Sequence, residues 1–113
     1  MAPRKMIPVC EPLLDGNEAV YVSNCMETNW ISSVGNYIPD FEERFSTLCG
    51  AKYGVACSSG TAAIHLALAA LGLKAGDEVI IPSFNLIVAA NAVIWTGARA
   101  VLVDADTDTW CID

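Results

Sequence analysis

The densest grouping of reactive residue types in this chain is Ser58-Ser59-Gly60-Thr61-Ala62-Ala63. It falls where a short apolar run starting at Tyr53 gives way to a long one. A glycine there lets the backbone turn tightly and come close to a ligand. The first amides of a helix have no intrahelical acceptor, and with the positive end of the helix dipole and nearby hydroxyls they suit a phosphate group. The same residues are ordinary helix caps, because Ser and Thr oxygens accept from the amides of the first turn. The segment by itself supports both readings. It has neither the spacing and lysine of a P-loop nor the three glycines of a dinucleotide fingerprint.

Other candidates are weaker. Asp104, Asp106 and Asp108 alternate with Ala and Thr; without the Gly and terminal Glu of an EF-hand loop they read as a solvated turn and not a cation site. His65 lies inside an apolar helical stretch with no nucleophile placed beside it by pattern, which makes it a packed or half-exposed helix residue. Trp30, Trp95 and Trp110 read as core or interface residues. Cys10, Cys25, Cys49, Cys57 and Cys111 contain no C-x-x-C pair and no metal spacing with His. They read as reduced thiols, mostly small core hydrophobes, in a cytoplasmic protein, and no metal site is expected.

The elements that must position these groups follow from periodicity and punctuation. Residues 1–14 form a Pro-punctuated arm, and Asp15-Gly16-Asn17-Glu18 opens a helix carrying Val20, Val22 and Met26. Residues 28–37 are rich in Asn, Ser and Gly and read as a loop. Pro39-Asp40 opens a second helix over 41–48, closed by Cys49-Gly50. Three strands are then expected, at 53–57, 78–81 and 100–103, with helices between them through Leu71 and over 85–95. The strands show little polar alternation. Strand, helix, strand, helix, strand of that kind is the pattern of a buried parallel sheet with right-handed crossovers, hence an α/β fold.

Composition narrows the function. Thirteen acidic residues against six Lys and Arg, a net charge of −7, argue against nucleic acid and anionic membrane surfaces as partners. A hydrophobic fraction of 54% excludes a disordered chain. The start Met1-Ala-Pro-Arg-Lys is not followed by a signal-peptide apolar region, since Pro8, Glu11, Pro12 and Asp15 interrupt it. Residues 79–95 contain Pro82, Ser83, Asn85 and Asn91, which breaks the run of about 20 apolar residues a bilayer span needs.

Taken together, I-P-V at 7–9, T-N-W-I-S-S-V-G at 28–35, F-E-E-R-F from Phe41, Y-G-V-A-C-S-S-G-T-A-A-I-H-L-A-L from Tyr53, G-D-E-V-I-I-P-S-F from Gly76 and T-G-A-R-A-V-L-V-D-A-D-T-D-T-W-C-I-D from Thr96 resemble the DegT/DnrJ/EryC1/StrS family of sugar-nucleotide aminotransferases. The resemblance is collinear and covers nearly the whole chain. It implies a partial three-layer α/β/α sandwich, the large domain of a pyridoxal-phosphate enzyme of the aspartate-aminotransferase fold. Residues 1–52 would be an arm with two helices, and 53–113 the start of the cofactor-binding domain. The implied function is transfer of an amino group from glutamate to a keto-deoxysugar nucleotide in a cytoplasmic homodimer. The implied cofactor contacts are Ser59, Gly60, Thr61 and Ala62 at the phosphate and Leu86 at the pyridine ring; Trp30, Ser32 and Ser33 lie where the family has a loop beside its active site.

Two departures stand out. The family places an aromatic residue where this chain has Leu86, which removes a stacking contribution of about 1 kcal/mol; Phe84 is the neighbouring aromatic. The family's cofactor-linking lysine and its aspartate for the pyridine nitrogen match positions beyond Asp113, and Lys5, Lys52 and Lys74 stand elsewhere. No catalytic residue is therefore assigned within these residues. The expectation is the amino-terminal portion of an aminotransferase; the alternative is a truncated, non-catalytic phosphate-ligand or interaction domain.

Overall fold

The computed structural model describes residues 6–8 and 10–113. Lys5 and the Val9 of the I-P-V match lie outside them. Contacts divide the chain into one unit ending at Gly54 and a second, Val55–Asp113.

In the first unit, α1 (Glu18–Thr28) opens with a carboxylate in its first turn, where the positive dipole end favours it. The Glu18 carboxylate also accepts the Gly16 amide at 2.9 Å. The helix stops at Asn29, which adopts the left-handed conformation at φ 61°, a state Asn tolerates. Helix α2 (Tyr37–Leu48) begins four residues before the expected start at Phe41. Pro39 falls in its first turn, where the missing N–H would have no helical acceptor, so it is no barrier. The end is a Schellman turn: with Gly50 at φ 64°, its amide donates to Thr47 O at 3.1 Å and the Ala51 amide to Ser46 O at 2.8 Å. The two helices touch through Tyr21 and Tyr37, whose ring centroids are 5.0 Å apart, and through the Tyr37 hydroxyl, which donates to Asn24 Oδ1 at 3.0 Å.

The second unit is α/β. Its elements are α3 (Gly60–Ala70), β1 (Glu78–Pro82), α4 (Ile87–Trp95) and β2 (Arg99–Val103). Strands β1 and β2 pair in parallel from Glu78↔Arg99 to Pro82↔Val103, with α4 as the crossover. Ile81, Val93 and Ala98 form the buried core, joined at its rim by Leu68, Leu73, Val79, Ala90 and Ala100. One face of the sheet thus carries a helical layer. On the opposite face Ile80 is 61% exposed. This is a partial α/β sandwich, with the sheet and one helical layer present among the described residues.

The expected third strand is a correction. Residues 53–57 are not a strand, and the described sheet has two strands. Tyr-Gly-Val-Ala-Cys has Gly and Ala at two of five positions, both poor strand formers, and strand state comes from a ladder more than from residue type. Gly54 instead serves a close approach to α2: a Cβ placed there would come within 2.6 Å of the Glu42 carbonyl oxygen.

The expected burial also needs correcting. Trp30, Trp95 and Trp110 are 49%, 57% and 62% exposed, and four of the five cysteines are exposed while Cys25 is half-buried. Apolar residue types predict burial only where another element covers them, and few residues here are covered. Gly54→Ala should destabilise the first unit by about 1–3 kcal/mol, because the atom in the way is backbone and cannot rotate aside. Urea denaturation followed by circular dichroism measures this, and an unchanged midpoint refutes the close-approach account.

Candidate functional site

Helix α3 starts at Gly60, with Ser59 as an extended N-cap at φ −162° and ψ 162°. Ser59 Oγ accepts the Ala62 amide at 3.2 Å, and the Ser59 carbonyl accepts the Ala63 amide at 3.0 Å. Capping is therefore real here, and it engages Ala62. The amides of Gly60 and Thr61 and the Thr61 hydroxyl have no acceptor or partner among the described residues. Gly60 needs no special backbone angle, and a Cβ on it would meet nothing within 4 Å. The space in front of the helix start is thus open to a ligand, edged by two free amides, two hydroxyls and the positive dipole end. A phosphate fits that donor set, and the space that a Cβ at Gly60 would fill is open.

The fold brings this helix start to the end of the sheet where ligands collect. α3 ends at Ala70, a few residues before β1 begins, so its start points toward the strands' carboxyl end. The Ser83 amide donates to Val103 O at 2.8 Å, extending the ladder by one residue. The chain then passes through Phe84 and Asn85 to Leu86, the N-cap of α4, with φ −66° and ψ 141°. The Leu86 amide donates to Asn85 Oδ1 at 2.7 Å, and its side chain is 76% exposed. Phe84 packs edge-on against Trp110, with centroids 4.9 Å apart and planes at 73°. Leu86 is thus the free apolar side chain of this turn.

In the other unit, Ser32 Oγ accepts the Val34 amide at 3.2 Å, which makes it part of its own turn. Trp30 and Ser33 line a cavity of about 480 Å³ with Asn36, Ile38, Pro39 and Glu42. Asn36 was hidden in the sequence because α2 was expected to start later. It is the N-cap of α2, yet its side chain makes no capping bond.

His65 is half-buried and meets Trp95 edge-on at 5.4 Å. Of the three aspartates, Asp106 organises the turn: its Oδ1 accepts from the Thr109 amide (2.6 Å), the Thr109 hydroxyl (2.8 Å) and the Asp108 amide (3.1 Å). Those bonds, the Thr109 amide first, hold its carboxyl below the ordinary aspartate value. Among the described residues no three His, Cys, Asp or Glu side chains are grouped to hold a metal, and no helix is long and apolar enough to cross a membrane.

Residues 12–113 match the model of the DegT/DnrJ/EryC1/StrS aminotransferase family. GDP-perosamine synthase of Caulobacter vibrioides is 53% identical over 107 residues, covering 95% of this chain and 29% of that protein. The aminotransferase of Psychrobacter cryohalolentis superposes with a TM-score of 0.78 at 34% identity, over 84% of this chain and 24% of that one. The Escherichia coli GDP-4-keto-6-deoxy-D-mannose-3-dehydratase with bound hydrated PLP superposes with a TM-score of 0.81 at 30% identity, over 94% of this chain and 28% of that one. The chain therefore spans less than a third of the length of the relatives it matches.

Two outcomes follow from this geometry. Ser59→Ala should cost about 1 kcal/mol of stability by removing the α3 cap, read as a lowered thermal midpoint. The stability that Asp106 lends its turn is fully present above the ordinary aspartate range and is lost as pH falls through the lowered value. The Thr109 amide resonance should titrate with a midpoint below that ordinary range, and Asp106→Asn should abolish the titration.

Proposed function

This chain belongs to the DegT/DnrJ/EryC1/StrS aminotransferase family, and from that premise we propose that it is the amino-terminal portion of a pyridoxal-phosphate enzyme that moves an amino group from glutamate onto the keto carbon of a deoxysugar nucleotide. Pyridoxal phosphate is the cofactor of the family. Residues 53–113 are then the start of the cofactor domain, preceded by an arm and two helices over 1–52. A GDP-linked sugar is the substrate class that the similarity to GDP-perosamine synthases supports.

The observation that carries this reading is the open start of α3. In it, the Gly60 and Thr61 amides and the Ser59 and Thr61 hydroxyls donate to the cofactor phosphate, while the helix dipole stabilises its charge. Ala62 contributes indirectly, by fixing the Ser59 side chain through its amide. Leu86, an exposed apolar side chain, would cover the ring face and exclude water there without stacking. The bound cofactor supplies an electron sink for the carbon that gains or loses nitrogen. Positioning it is the work of these residues. The five unpaired cysteines support a reducing, cytoplasmic setting, and the uncovered apolar residues are compatible with a homodimer.

Full-length protein should show the pyridoxal absorbance band, and borohydride should fix it to a lysine outside this chain; no band at all overturns the reading. Gly60→Ala should weaken pyridoxal phosphate roughly tenfold, equivalent to about 1.4 kcal/mol, with no loss of thermal stability. Leu86→Tyr should tighten it by about 1 kcal/mol through restored stacking. Equilibrium dialysis measures both.

A further inference from the structure

We propose that Trp110 is a positioning residue for the cofactor ring: through Phe84 it holds the turn that carries Leu86, an inference that rests on the function proposed above. Trp110 adopts the left-handed backbone, with φ 61°. Glycine and asparagine enter that region readily, whereas a bulky side chain is crowded there. Either of those residues would form the same turn at lower energy. What a tryptophan adds at this position is its indole.

The surrounding bonds over-determine this backbone. The Trp110 amide donates to the Asp106 carbonyl at 2.9 Å, and the Asp106 amide donates to the Cys111 carbonyl at 2.9 Å. Ala105 and Ile112 form an antiparallel bridge, and the Asp113 amide donates to the Asp104 carbonyl at 3.2 Å. Within the turn the Asp106 carboxylate accepts from the Thr109 amide and hydroxyl. Residues 104–113 thus form a small hairpin, fastened on both sides of Trp110. A bulky residue kept left-handed by such a frame is the kind of local strain that collects at functional sites.

The hairpin leaves the end of β2 beside the turn that leaves β1, and there the indole meets Phe84 edge-on. Both rings are more than half exposed, so burial does little for the pair among the described residues. An edge-on aromatic contact contributes about as much as the left-handed backbone loses. The pairing therefore adds little net stability, and what it fixes is geometry. Phe84 stands two residues before Leu86, and Asn85 Oδ1 accepts the Leu86 amide at 2.7 Å. With Phe84 held at one end and α4 starting at the other, the Leu86 backbone keeps little freedom.

The test uses full-length protein. Trp110→Asn keeps the left-handed turn and removes the indole, so the thermal midpoint should stay unchanged or rise. Pyridoxal phosphate should nonetheless bind roughly fivefold more weakly in equilibrium dialysis. Trp110→Phe should restore binding to within about twofold. In a Leu86→Ala background, Trp110→Asn should change nothing further, because the indole acts through Leu86. Nitrogen relaxation in cofactor-free protein should find the Leu86 amide more mobile in Trp110→Asn. Should that variant fail to fold, Phe84→Leu removes the same contact from the other side and decides. Unchanged affinity in a folded variant overturns the proposal. So does Trp110→Phe binding no better than Trp110→Asn, or a loss of equal size without the Leu86 side chain. The two readings fail separately. No pyridoxal band in the unaltered protein, with a more mobile Leu86 amide in the variant, defeats the cofactor reading and leaves the hold on the turn standing. A band with unaltered affinity and an unmoved Leu86 amide defeats this inference alone.

Discussion

Everything in the second unit hangs on the closure of β1–α4–β2 over Val93, the largest side chain fully removed from water. Val93 presses on Ile81 and Ala98, and that contact holds α4 across the parallel ladder. Burying a valine side chain yields about 1.5–3 kcal/mol, so this one position accounts for a large part of what the small core can contribute. The ladder in turn decides where the strands stop. Pro82 and Val103 end together, and the chain leaves both at the same edge.

The turns that leave that edge decide which side chains are exposed there. Phe84 turns to Trp110, leaving Leu86 to face outward, and α3 directs its open amides to the same end of the sheet. The contrast between Gly54 and Gly60 is instructive. The first is glycine because a neighbouring backbone occupies the space of a side chain. The second has no such neighbour, and leaves open space before the start of α3.

Much of this was legible from residue types. The Ser-Gly-Thr turn, the helix ends at Gly50, Gly72 and Gly97 with their positive φ values, and the 78–82 and 99–103 strands all obey local rules. The failures share one cause, which is that the deciding partner lies elsewhere in space. The 53–57 segment reads as a strand by its apolar character but Gly54 answers to α2. Helix α2 extends back through Pro39 because first-turn amides need no partner. The tryptophans and cysteines look like core residues, and burial depends on a covering layer that no single residue encodes.

The parallel ladder has one more consequence, for the entropy of its closure. Paired residues such as Glu78 and Arg99 are only 21 positions apart, and the connecting helix supplies the core valine itself. Such a short closure demands little loop entropy. The two strands thus meet with only α4 between them, and that connecting helix brings the core residue of the pairing with it.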